Sequence, residues 1–189
     1  MEQLCPWEPA IYFVYSSNIP TLFFYSHIPA ILVALFIGLL VFFKSGKSRI
    51  GTTLLSISIL FSAWSIFDLF IWATNRPDIV LFYWALQILF EPLVYLLCFY
   101  LVYLFIKGQD LAFKWKLLGI LLYSPIIFLL SSSYNLIGVD VNYCNAVEGF
   151  IAQYFTYIVE SIFILSIIIL VILEYRKIII PIRKKEIVV

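Results

Sequence analysis

Three carboxylic acids interrupt the apolar runs of this chain: Asp68, Glu91 and Glu160. An ionisable group inside hydrocarbon costs about 2.5–3.5 kcal/mol on insertion scales, so such residues mark ligand sites, proton paths or polar contacts between helices. Glu91 and Glu160 each fall about ten residues into a run that enters from the same side, which places both about 15 Å deep in one layer. Their neighbours repeat at helical spacing. Tyr83, Gln87, Glu91 and Tyr95 recur every fourth residue, and Gln153, Tyr157 and Glu160 follow i, i+4, i+7, so each set shares a helix face. Ser58, Ser62 and Ser65 form a milder stripe leading toward Asp68. Lipid cannot satisfy such faces, so they are expected to turn inward as a polar core. Two readings stand side by side: a ligand or proton site, and polar contacts that join helices with their carboxyls protonated. Glu91 has a third, because Pro92 frees a backbone carbonyl that a nearby polar group can satisfy.

Other chemistries find no support in the residue pattern. The single histidine, His27, has no second imidazole for an ordinary zinc site and reads as an interfacial residue. Asp140 and Asn142 begin like a calcium loop, but the third oxygen ligand, the following glycine and the terminal glutamate are missing. Every lysine lies in a loop or tail, so no retinal Schiff base is available within a span. Nucleophile elbows and phosphate-cradling glycine motifs are absent. The expectation is a chain with no catalytic apparatus, no cofactor and no metal.

The elements that must position the acids are membrane helices. The 189 residues are 64% hydrophobic and 12% charged, well outside the soluble globular range. Long apolar runs at 22–43, 50–73, 79–106 and 150–173 each reach the ~20 residues a crossing helix needs, and a shorter run at 117–130 makes a fifth. Eleven of the twelve basic residues follow the first, third and fifth runs, leaving Arg76 opposite. Cytoplasmic loops are rich in Lys and Arg, so the N-terminus is expected outside and the C-terminus inside. The fold expected is an all-α, polytopic transmembrane bundle of five spans in the plasma membrane: a lead-in at the outer interface (1–21), the bundle (22–175) and a basic cytoplasmic tail (176–189). The first ten residues carry no cation and so do not form a cleavable signal. The net charge of +1 implies no nucleic-acid partner.

Three cysteines remain. Cys98 lies within a span and reads as a packing residue. Cys5 and Cys144 both fall on the outer side, where disulfides persist, and a bridge between them is expected over two separate thiols. Asn145 stands three residues before Glu148 ahead of an apolar run, a pattern near a capping box, so these two are expected to start the fifth helix.

The segments SSNIPTLFFYSHIPAILVAL (16–35), AWSIFDLFIW (63–72), FEPLVYLL (90–97) and SSYNLIGVDVNYCNAVEGF (132–150) together resemble the N-terminal seven-helix membrane region of bacterial histidine kinases. The resemblance rests on helix order, loop lengths and aromatic texture across nearly the whole chain. It implies a sensory module that passes an external or membrane signal to a cytoplasmic kinase, with a small ligand or membrane state as stimulus, the bilayer as environment and a homodimer by analogy with kinases. It also implies two further helices, and the apolar Ile187, Val188 and Val189 read as the start of another hydrophobic segment. A small transporter or proton-coupled permease, with Glu91 and Glu160 titrating, is the first alternative. A non-catalytic membrane subunit whose polar stripes meet a partner is the second.

Overall fold

The computed structural model describes residues 4–12 and 14–186, with side chains as far as Lys177. The segment expected to begin at Ile187 lies outside the described residues. The chain is mostly helical: α1 (Thr21–Lys44), α2 (Arg49–Ala73), α3 (Pro77–Lys107), α4 (Phe113–Phe128) and α5 (Thr156–Glu186), with a short hairpin of β1 (Leu136–Asp140) and β2 (Asn145–Glu148) before α5. Thr21–Lys44, Arg49–Ala73, Pro77–Lys107 and Ile151–Lys177 are long and apolar enough to cross a membrane. α4, at 16 residues, is shorter than the ~20 residues of a typical span.

Local chemistry sets the helix ends. Ser48 caps α2 by accepting a hydrogen bond from the Gly51 amide at 3.2 Å. Pro77 opens α3, where its missing N–H costs nothing. Gly108 closes α3 in the left-handed conformation (φ 65°), and its amide reaches Leu104 O at 2.9 Å.

Packing between α1 and α2 is of the small-residue kind that membrane helices use in place of a hydrophobic drive. A Cβ on Gly38 would lie 2.6 Å from Ser58 Oγ, so the two backbones approach closely there. Ser58, Ser62 and Ser65 are buried along this side of α2, as the stripe implied. α3 then packs on α2 and α5. Its Pro92 is buried, and one turn earlier the Tyr123 hydroxyl of α4 donates to Leu89 O at 2.5 Å. Leu89 O is next to Ile88 O, the carbonyl from which Pro92 withholds its i→i−4 donor.

The connection before α5 departs from the all-α expectation. Asn145 and Glu148 do not begin a helix: they belong to β2, antiparallel to β1, with Asp140 opposite Asn145 and Leu136 opposite Glu148. β-Branched residues on both strands and the Asp140 carboxylate accepting the Asn142 amide at 2.9 Å favour a hairpin over a capping box. Gly149 then lets the chain pass close to the preceding turn: a Cβ there would sit 2.4 Å from Tyr134 O. The helix proper is entered through a π-helical turn, Ile151–Phe155.

Beneath the hairpin a small core gathers Cys5, Ile71, Val80 and Cys144, with Trp7, Trp84 and Val139 packed around it. Cys5 and Cys144 are joined as a disulfide with 5.5 Å between their Cα atoms. The Cys5 amide also donates to Asn75 O at 2.9 Å, tying the lead-in to the α2–α3 turn. The lead-in is organised around Glu8, which accepts from Ser17 Oγ at 2.8 Å and, through its carbonyl, from Asn18 Nδ2 at 3.0 Å.

Candidate functional site

Asp68, on α2, is the node where three helices meet. Its Oδ2 lies 3.0 Å from His27 Nε2 of α1, and its Oδ1 accepts from Gln87 Nε2 of α3 at 3.2 Å. Gln87 also donates to Trp64 O at 3.4 Å. His27 is therefore not simply an interfacial residue: its side chain is 15% exposed and bonded to an acid on the neighbouring helix. The sequence missed this pairing because the register of α1 on α2, set by the Gly38 contact, decides what His27 faces. The imidazole stacks on Phe23 with centroids 4.2 Å apart. Nδ1 lies 2.9 Å from Ser26 Oγ and 3.0 Å from Phe23 O. With Nε2–H donating to the Asp68 carboxylate, Nδ1 can accept from Ser26 in a neutral ring, or donate to Phe23 O in an imidazolium.

One helical turn inward from Gln87, Glu91 faces a half-open cleft of about 160 Å³ lined by Phe61, Trp64, Val94 and Tyr95. Trp64 Nε1 is buried and makes no hydrogen bond of ordinary length, but Glu91 lies within its electrostatic reach. Glu160, on α5, is buried, and Glu91 is its charged neighbour. Asp68 likewise acts on Glu91.

Two residues assigned to this core lie elsewhere. Gln153 and Tyr157 are exposed on the bundle, Tyr157 at 57%. The buried face of α5 is made by Thr156, Val159, Glu160 and Phe163. Tyr157 and Glu160 lie three residues apart in regular α-helix, and the edge of the face that α5 buries passes between them, leaving Tyr157 with Gln153 outside.

Glu148 is the functional candidate that sequence reasoning placed differently. Its Oε1 accepts from the Trp84 indole at 3.0 Å, joining the hairpin to the first turns of α3. Trp84 stands one turn before Ile88 and Gln87, so the hairpin connects directly to the helix that carries Gln87 and Glu91. An acid at the membrane edge facing an amphipathic indole was a readable signal, had the hairpin been recognised.

The opposite end is held by ion pairs. Asp110, between α3 and α4, is 2.8 Å from both Arg49 and Lys116 and accepts from the Tyr100 hydroxyl at 2.7 Å. The Lys116 ammonium first, then the Tyr100 hydroxyl, hold its carboxyl down to about 2 from an ordinary 3.8. Glu174 of α5 bonds Lys107 of α3 at 2.5 Å and Lys177 at 2.7 Å. A larger groove of about 400 Å³ opens between α3, α4 and α5 near this end, but its walls are almost wholly apolar.

Among the described residues no three His, Cys, Asp or Glu side chains come together as a metal-binding group. No known family, curated protein or solved structure matches the chain.

Proposed function

We propose that this chain is a membrane-embedded sensory module, an input region of the kind placed ahead of bacterial histidine kinases, in which a signal at the outer cap or within the bundle is passed inward by helix rearrangement. The observation that carries the reading is the continuity of polar contact from cap to core. Cys5–Cys144 clasps the hairpin, Glu148 of the hairpin bonds Trp84, and one turn along α3 Gln87 enters the Asp68–His27 node. A ligand or proton acting at either end of this line has differential contacts through which to bias two helix arrangements.

In this reading the bundle has five spans, with the N-terminus outside, the C-terminus inside, and the plasma membrane as its site. A parity argument supports it. Cys5, at the start of the chain, is bonded to Cys144, beyond α4, so the chain must return to its starting side between them. α1, α2 and α3 alone would leave it on the opposite side, so α4 supplies the fourth crossing despite its length, and α5 makes the fifth. A disulfide there favours the oxidising outer compartment. The clustering of Lys44, Lys47, Arg49, Lys107, Lys114 and Lys116 at the other end fits the cytoplasmic face.

The test is remote response. Trp84→Phe removes the indole donor of the cap contact, and Glu148→Leu removes its acceptor. Hydrogen exchange of the protein in lipid nanodiscs is expected to change at the inner ends of α3 and α5 as well as in the hairpin. A response confined to the hairpin would favour the passive-subunit alternative, and proton flux in liposomes that disappears in Glu91→Gln would favour a permease.

A further inference from the structure

Acids outnumber bases within the bundle. Asp68, Glu91 and Glu160 lie within it, whereas His27 is the sole basic side chain there among the described residues, and it is bonded to Asp68. Lys and Arg sit at helix ends and turns. Charged groups inside a membrane pair with an opposite charge or line a site for one, and Glu91 faces a cleft.

That cleft has the walls of a cation site. Phe61 and Trp64 stand with ring centroids 6.5 Å apart and planes 19° from parallel, and Tyr95 closes the cleft beside Glu91. Aromatic faces carry the negative lobes of the ring quadrupole and attract organic cations, most strongly where water is excluded. The volume of about 160 Å³ lies below the roughly 300–1,000 Å³ of drug-sized ligand sites, so the occupant is small. A metal ion fits poorly, because hard cations take six or more oxygens and the lining offers one carboxyl and one phenol.

We propose that the cleft between α2 and α3 binds a small organic ammonium ion, a protonated or quaternary amine, with its charge on the Glu91 carboxylate and its carbon substituents against Phe61, Trp64 and Tyr95. Binding there would bridge α2 and α3 directly beside the Gln87–Asp68 contact, which gives the ligand a grip on the node. That consequence rests on the sensory reading; the binding itself does not.

The experiment uses the full chain in lipid nanodiscs, tetramethylammonium chloride as probe, and tert-butyl alcohol as a neutral molecule of similar shape, with binding followed by saturation-transfer NMR. Saturable binding of the ammonium ion is expected, weakened at least about tenfold by Glu91→Gln, where a charge partner becomes neutral. Phe61→Leu is expected to weaken it roughly 2- to 30-fold through loss of one aromatic face. Absence of saturable binding, undiminished binding to Glu91→Gln, or equal competition by tert-butyl alcohol would overturn the proposal. Should Glu91→Gln fail to assemble, undiminished binding to Phe61→Leu would overturn it equally. If the ion binds as expected but leaves the spacing of the inner helix ends unchanged, the site stands and the sensory reading falls.

Discussion

At the scale of residues, Asp68 is the most connected acid of the interior, and its link to His27 should be measurable as a coupling energy. A double-mutant cycle with His27→Ala and Asp68→Ala, read from unfolding in detergent, is expected to give about 0.6–1.7 kcal/mol, the range found for polar contacts between membrane helices. A coupling near zero would reduce the contact to coincidence of placement. Asp110 offers a pH test at the other end of the bundle. Its folded carboxyl is held at about 2, below the ordinary 3.8, chiefly by Lys116. A depressed acid stabilises the fold above its unfolded value and loses that contribution as pH falls through its folded value. Asp110→Asn should therefore lower the melting temperature at pH 6, and the gap from the parent should close between about pH 4 and pH 2. A gap that persists at pH 2 would mean that Asp110 acts by shape, not charge.

Among the elements, the hairpin depends on one close approach. Gly149→Ala would drive a Cβ against the Tyr134 and Ser133 carbonyls at 2.4 and 2.6 Å, and backbone cannot step aside as a flexible side chain can. We expect it to cost about 1–3 kcal/mol, in the manner of overpacking, and to appear as faster hydrogen exchange across 136–148. Unchanged protection would show that the turn tolerates a side chain. The same hairpin marks the limit of what the sequence discloses. The long helices were legible because each apolar run must cross or hide itself, and the buried serines of α2 because their spacing is helical. Asp68, Gln87, Glu91 and Glu160 were legible as inward groups for the same reason. The partners were not: His27 looks interfacial until the register of α1 on α2 is fixed by Gly38 and Ser58. Asn145 and Glu148 fit a helix start as well as a strand, and tertiary contact with Trp84 and the disulfide decides between them. Gln153 and Tyr157 were misplaced because spacing tells which residues lie near one another on a helix but not where the buried face ends, and here it ends between Tyr157 and Glu160.

For the whole molecule, the two ends are built differently. The end that carries the hairpin is a covalent cap, with Cys5 bonded to Cys144 across 139 residues of sequence. The opposite end is a set of ion pairs, Arg49 and Lys116 on Asp110 and Lys107 on Glu174, which can exchange partners at little cost. Loop-closure arithmetic would credit so distant a bridge with about 5 kcal/mol. Helices already held in a bilayer have lost much of that freedom, so the bridge acts chiefly by fixing the cap over α3. A rigid cap at one end and loosely pinned contacts at the other are what the proposed sensory reading expects of a part that transmits movement, and one measurement tests this directly. With Cys98→Ala as background, nitroxides joined by thioether bonds to Lys44→Cys and Arg176→Cys report the spacing of the inner ends of α1 and α5 by pulsed electron resonance in nanodiscs. The account predicts that removing the clasp with Cys5→Ser and Cys144→Ser shifts or broadens that distance distribution, although both changes lie at the opposite face. An inner distribution identical with and without the clasp would contradict it.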